Sequence, residues 1–210
     1  MRSLSQAAAS GGKDRTTGAQ VGTRRLPPPV RWREEIEYVL ISETQIARRV
    51  RALTRQLQHD FTGRDVLVVS LLTGTVMFLA DLVRHLELPL RLDFMGVSSY
   101  GAGTTSGKLV FTKELRLEAK GRDVLLVDDI LDTGRTLKRV TEKLHALAPN
   151  SVRICVLLDK KARRLEPIEA DYVGFVIPDA FVVGYGMDYA ERYRNLPFIG
   201  VLKPSVYQRV

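Results

Sequence analysis

Three short apolar runs, at residues 66–72, 124–127 and 152–158, constrain the fold more than any other feature of this chain. Each is built almost entirely from Val, Leu, Ile and a few small residues, without the polar alternation of a strand that has one face in water. Runs of roughly four to eight such residues suit strands, and strands apolar on both faces belong to a parallel sheet covered by helices. The segments between them change period. Residues 42–57 place Ile46, Val50, Leu53 and Leu57 at helical spacing, with Ser42 as a capping residue. Helical periodicity resumes over 77–86, after Thr73-Gly74-Thr75, and over 137–147, after Gly134. Strand, glycine turn and helix, repeated, predict an α/β fold with a central parallel sheet flanked by helices. A further strand is predicted over 90–95. The stretch 96–122, with Gly101, Gly103 and Gly107, is predicted to be a flexible, lid-like loop.

Composition excludes several other classes. At 210 residues the chain has room for one large core and a tail. Cys155 is the only cysteine, which rules out an internal disulfide or a cysteine-based zinc cage and points to a reducing, cytoplasmic location. The most apolar stretch, 66–80, is broken by Ser70, Thr73, Gly74 and Thr75 and falls short of the ~20 residues that span a bilayer, so no membrane partner is expected. Seven basic residues and one acid lie within 1–33, so +6 of the net charge of +8 resides there and the body carries only +2. That body offers little to a nucleic acid. Residues 1–33, with Ala7-Ala8-Ala9-Ser10-Gly11-Gly12 and Pro27-Pro28-Pro29, are predicted to be a disordered basic extension ahead of a folded domain at 34–210. The Arg- and Ser-bearing start shares features with an organelle transit peptide, but a solvated tail is the simpler expectation because the amphipathic pattern is poor.

Ligands of open parallel sheets bind beyond the carboxyl ends of the strands, so chemistry is sought just after each apolar run. The segment after 124–127 is the richest. Asp128 and Asp129 end the strand, and Asp132 opens the turn Thr133-Gly134-Arg135-Thr136 before the next helix. Backbone N–H groups at a helix start, with Gly134 permitting close approach and two threonine hydroxyls beside it, make a phosphate cradle. The acids cannot share that phosphate and must face sugar hydroxyls or a magnesium ion. A sugar phosphate is implied.

This segment resembles the phosphoribosyl pyrophosphate signature of the type I phosphoribosyltransferases. Leu157-Leu158-Asp159-Lys160, Tyr172-Val173-Gly174-Phe175-Val176-Ile177-Pro178-Asp179, Phe181-Val182-Val183-Gly184-Tyr185-Gly186-Met187-Asp188-Tyr189 and Arg192-Tyr193-Arg194-Asn195-Leu196-Pro197 resemble its 6-oxopurine branch, the hypoxanthine(-guanine) phosphoribosyltransferases. The resemblance runs from about Glu37 to Val201. It implies the type I fold, a central parallel sheet with a small hood subdomain, for residues 34–210. It also implies purine salvage: a purine displaces pyrophosphate from phosphoribosyl pyrophosphate, hypoxanthine giving IMP and guanine GMP. Magnesium is the implied cofactor, and a homodimer or homotetramer the implied assembly.

By motif matching, Asp128 and Asp129 hold the ribose hydroxyls directly or through the metal, and Asp132 lies near N7 of the base as proton acceptor. Thr133, Gly134, Arg135 and Thr136 grip the 5′-phosphate. Leu72, Thr73 and Gly74 match a pyrophosphate-contacting loop in which the family has a non-proline cis peptide. Ser99 and Tyr100 match the mobile loop that closes over the reaction. Phe181 stacks on the purine, the Val182 backbone bonds its edge, Asp188 reaches a second magnesium ion near the base, and Arg194 contacts pyrophosphate. Lys160 donates to O6, and a donor there refuses the 6-amino group of adenine. The chain departs from the family pattern at Asp128, where many members have Glu, at Arg135, where some have Lys, and at Ala180, where some carry a charge.

His59, His85 and His145 fall on apparent helices away from the strand ends, so no zinc or histidine chemistry is expected. Cys155 reads as a small buried hydrophobe. A ligand-sensing regulator on the same fold is the competing class, but it would be expected to lose catalytic acids or to carry a basic face. Xanthine as the preferred base stays open.

Overall fold

The computed structural model describes residues 17–22, 25–100 and 108–208, without the side chains of Ser99, Tyr100 and Lys108. Its elements are β1 (Ala19–Gln20), β2 (Ile36–Ile41), α1 (Glu43–Phe61), β3 (Val66–Leu72), α2 (Val76–Val83), β4 (Arg91–Tyr100), β5 (Lys108–Lys113), β6 (Asp123–Leu131), α3 (Arg135–His145), β7 (Ser151–Asp159), β8 (Tyr172–Val176), β9 (Val182–Val183), β10 (Ile199–Leu202) and α4 (Pro204–Tyr207). The three apolar runs are β3, β6 and β7, and they lie side by side in a seven-stranded sheet of order β1-β8-β7-β6-β3-β4-β5. All neighbours pair in parallel except β4 with β5.

Continuous hydrophobicity in these runs has a direct cause, since successive strand residues point to opposite faces. Val66, Val68, Leu125, Val127, Cys155 and Leu157 pack on the side of α1 and α2. Leu67, Val69, Val124, Leu126, Ile154 and Val156 pack on the other, against Leu137, Val140 and Leu144 of α3. Both faces are dry, so no position in the run can be polar without cost. α1 begins as expected, with a reciprocal cap: the Ser42 amide donates to Gln45 Oε1 at 2.9 Å while the Gln45 amide donates to Ser42 Oγ. The helix continues past 57 because buried Phe61 extends the same apolar stripe by one turn. The hood is a separate antiparallel sheet of order β2-β10-β9. No helix among the described residues is long and apolar enough to cross a membrane.

Two expectations need correction. The stretch 96–122 is not wholly a loop: β4 runs on to Tyr100, and the chain returns antiparallel as β5, with Val97 opposite Phe111 and Ser99 opposite Leu109. Val97, Leu109, Val110 and Phe111 favour an extended chain over a flexible lid. The glycines at 101, 103 and 107 lie outside the described residues.

The second correction concerns the extension. Ala19 and Gln20 pair in parallel with Phe175 and Val176 of β8, and Leu26 bridges to Val39 of β2. Gly18 is buried so tightly that a Cβ there would lie 2.6 Å from Val173 Cγ1. Arg49 of α1 donates to the carbonyls of Val173 and Gly174, both at 2.7 Å, and to that of Thr17 at 3.1 Å. The described residues 17–22 and 25–33 are docked, so ordered structure begins ahead of position 34. An unpaired sheet edge attracts main chain regardless of side-chain hydrophobicity, and composition does not register that attraction. Residues 1–16 lie outside the described residues.

Candidate active site

The carboxyl ends of β3, β6 and β7 converge on two cavities. One, of about 250 Å³, is lined by Gly74, Asp128, Asp129, Asp132, Thr133 and Gly134, with Leu72 and Thr136 also on its wall. The other, of about 300 Å³, is lined by Ile130, Asp132, Lys160, Phe181, Val182 and Asp188. Asp129, Ile130 and Asp132 line both, so the cavities share the end of β6 as a common wall.

In the first cavity Asp128 is buried and accepts hydrogen bonds from Thr75 Oγ1 and from the Asp129 amide, each at 3.1 Å. Burial and the neighbouring Asp129 carboxylate push its pKa well above the usual carboxylate range. Burial raises Asp129 as well. Arg194 offsets only part of this, and only at Asp129, so a divalent cation would relieve both acids. Among the described residues no group of three or more His, Cys, Asp or Glu could cage a metal by itself. That suits magnesium, which keeps waters and phosphate oxygens in its shell and needs only one or two carboxylates.

Gly74 exists because of this pair: a Cβ on it would lie 1.9 Å from Asp129 Oδ2. The adjoining Leu72–Thr73 peptide is cis, as the resemblance implied. Gly134, at φ +86, opens α3, and a Cβ on it would meet Ile168 Cγ2 at 2.7 Å. The helix thus starts at a glycine in the cavity wall, between Thr133 and Thr136, and the first N–H groups of a helix, which lack partners within it, suit an anion there. Thr73 and Arg135 flank this wall in sequence without lining it.

The second cavity combines a cation with an aromatic face. Lys160 directly follows β7 and is only 5% exposed, and its Nζ stands 3.6 Å from Asp179 Oδ1. Phe181 is 38% exposed and stacks on Tyr207, ring centroids 4.6 Å apart and planes 17° from parallel. Asp132 Oδ1 is buried without a hydrogen bond, with Arg163 Nε at 3.6 Å. From the hood, Arg194 Nη1 lies 2.9 Å from both Asp188 Oδ1 and the Gly186 carbonyl. Gly186, at φ +102, touches the cis-peptide loop directly: a Cβ there would sit 1.9 Å from the Gly74 carbonyl oxygen.

The structure therefore gathers Leu72, Gly74, Asp128, Asp129, Asp132, Thr133, Gly134, Thr136, Lys160, Phe181, Val182 and Asp188 around one paired cavity. Arg194 joins them through Asp188 rather than by lining either half. The backbones of Ser99 and Tyr100 lie in β4, and their side chains are outside the described residues. Sequence reading missed Thr75 and Arg163. Arg163 sits in the undifferentiated basic run 160–164 and is aimed at Asp132 only by the 3-10 turn Lys161–Arg163. The histidines stay apart, His59 with 89% of its side chain exposed. Cys155 is fully buried, and burial pushes its thiol far above its ordinary value.

The family model described as a phosphoribosyl transferase domain matches residues 41–190. A hypoxanthine-guanine phosphoribosyltransferase of Bacillus subtilis (strain 168) is 48% identical over 177 residues, covering 84% of this chain and 98% of that protein. The chain belongs to the hypoxanthine-guanine phosphoribosyltransferase family. Its fold matches that of a hypoxanthine phosphoribosyltransferase from Staphylococcus aureus, with a TM-score of 0.81 at 46% identity, over 86% of this chain and 99% of that one. The bifunctional protein TilS/HprT of Listeria innocua is 48% identical over 186 residues, and there the chain spans only 29% of the relative's length. Within this phosphoribosyltransferase family, then, the same unit stands both as a whole protein and as part of a longer one.

Proposed function

We propose that this enzyme transfers the 5-phosphoribosyl group from phosphoribosyl pyrophosphate to hypoxanthine and guanine, forming IMP or GMP and pyrophosphate, in purine salvage. One observation carries the reading: the phosphate cradle at Thr133–Thr136 and the lysine-and-aromatic cavity at Lys160 and Phe181 meet along the end of β6. A molecule with a phosphate at one end and an oxopurine at the other fits across that wall.

The α3 start and the two threonines hold the 5′-phosphate, and Asp128 and Asp129 face the ribose. The base lies against Phe181, with O6 toward the Lys160 ammonium. N9 donates its electron pair to C1′, the bond from C1′ to the pyrophosphate oxygen breaks, and the pyrophosphate leaves with that pair. Asp132 accepts the proton released at N7. Its side chain is 33% exposed and lines the wall shared by both cavities, while Arg163 Nε lies 3.6 Å from the buried Oδ1. Asp128 and Asp129 would hold a magnesium ion, whose chemistry would be to supply counter-charge to the departing pyrophosphate. Asp188 already pairs with Arg194, so a second ion near the base would have to share it, while Arg194 is held toward the pyrophosphate loop. A cytoplasmic location and assembly as a homodimer or homotetramer complete the proposal.

The test is a set of initial rates with hypoxanthine, guanine, xanthine, adenine and uracil, each with phosphoribosyl pyrophosphate and magnesium. Turnover of the two 6-oxopurines and rejection of adenine and uracil are expected. Preference for adenine or uracil, or binding of phosphoribosyl pyrophosphate without turnover of any base, would overturn the assignment.

A further inference from the structure

Phe181 poses a physical problem. A base platform must present one fixed ring face, yet this ring is 38% exposed and no enclosing core sets its rotamer. Neighbouring aromatic rings supply what the core does not. Tyr207 lies nearly parallel to it at 4.6 Å, Tyr189 meets it edge-on at 5.6 Å and 86°, and the two tyrosines are themselves 6.5 Å apart at 69°. Phe181 and neither tyrosine lines the base cavity, so Tyr207 covers the ring face turned away from it. The segment that carries Tyr207 is tied to the platform's own backbone. The Leu202 amide donates to the Phe181 carbonyl, the Lys203 amide to that of Glu35, both at 2.9 Å, and Pro204 then opens α4. Val206, Tyr207 and Tyr189 pack on the hood core around Ile36, Val183 and Phe198.

We infer that Tyr207 is a positioning residue for the base: by stacking on the rear of Phe181 it holds that ring broadside to the purine, so that base, Phe181 and Tyr207 form a three-layer column. The inference rests on the reading of Phe181 as the base platform. A stack of π-faces acts on any purine alike, so Tyr207 sets how tightly a base is held while Lys160 sets which base is accepted. Phosphoribosyl pyrophosphate, in the other cavity, does not touch this column.

The test is steady-state kinetics of the full chain carrying Tyr207→Leu, Tyr207→Phe, Phe181→Ala, and Phe181→Ala with Tyr207→Leu. Tyr207→Leu is expected to raise KM for hypoxanthine and for guanine by about three- to tenfold, the size of one ring contact, with KM for phosphoribosyl pyrophosphate unchanged. Tyr207→Phe keeps the ring and restores the base KM, which separates the stack from a loss of folding. In the Phe181→Ala background Tyr207→Leu adds nothing further. An unchanged base KM in Tyr207→Leu, or equal rises in both KM values, overturns the inference while leaving the platform intact. An unchanged base KM in Phe181→Ala removes the platform itself, and the inference with it.

Discussion

Gly186→Ala should damage catalysis out of proportion to its size. The added methyl has nowhere to go, because its Cβ would lie 1.9 Å from the Gly74 carbonyl oxygen, and main-chain atoms cannot swing aside like a flexible side chain. Contacts below 3.0 Å are essentially never seen for real Cβ atoms, so hood and cis-peptide loop must part by at least about 1 Å. The φ of +102 adds strain of roughly 1–2 kcal/mol for any residue with a Cβ. Arg194 moves with the hood because its guanidinium is bonded to the Gly186 carbonyl. A displacement of that size between groups that grip the reacting ends of a substrate costs on the order of a hundredfold in rate. Gly121→Ala is the control: φ is +70 there, but nothing lies within 4 Å of the built Cβ. It should lose stability from strain and keep its turnover. The assay is kcat and KM for phosphoribosyl pyrophosphate, with a thermal melt of both variants. Wild-type kcat in Gly186→Ala, or equal loss of kcat in the two variants, refutes the packing argument.

Asp132→Asn keeps shape but removes the proton acceptor, so turnover should fall by ~10²–10⁴ with phosphoribosyl pyrophosphate still bound; near-normal kcat would sink the assignment. Lys160→Ala should lower the efficiency of hypoxanthine use and narrow its lead over adenine by roughly tenfold or more, and an unchanged ratio in competition assays would show that another group reads O6. Deleting residues 1–22 uncovers the β8 edge and removes one of the three carbonyls that Arg49 bonds, so the melting temperature should drop by several degrees, at roughly 2–4 °C per kcal/mol for a domain of this size. A truncated protein that melts like the full chain would show that β1 contributes nothing. Burial alone would push the Asp93 carboxyl up, but the backbone amides of Leu117, Phe94 and Arg116 together hold it below its usual value. A depressed folded pKa means its contribution is complete above the unfolded value near ~3.9 and is lost as pH falls through the folded one. Asp93→Asn should therefore destabilise the protein at neutral pH and flatten its acid limb in denaturant titrations; an unaltered acid limb would contradict this.

The central sheet was legible because β3, β6 and β7 are dry on both faces, and a dry strand leaves a run of Val, Leu and Ile that no other element imitates. The acids and glycines at the ends of those strands were legible for a related reason, since a parallel sheet delivers its ligands to one known rim. Residues whose role depends on a partner far away in sequence were not. Thr75 acquires meaning only from Asp128, and Arg163 only from Asp132. The hairpin of β4 and β5 was hidden by its glycines, which dominate composition in the segment although its flanks are β-branched and aromatic. β1 was hidden most completely, because main-chain pairing leaves no mark on side-chain pattern.

Because both cavities are walled by the same strand end, the interval between them is a property of one peptide backbone. Asp129 to Asp132 spans three residue steps, and extended chain advances ~3.3 Å per step, giving a graduation of about 10 Å at most. β6 is the central strand of the sheet, flanked by β3 and β7. It thus works as a ruler laid along the substrate, with ribose read at one mark and base at the next. Motions of the hood can tighten or loosen the grip on either end, but they cannot rescale the distance between base and sugar at which the new bond is made.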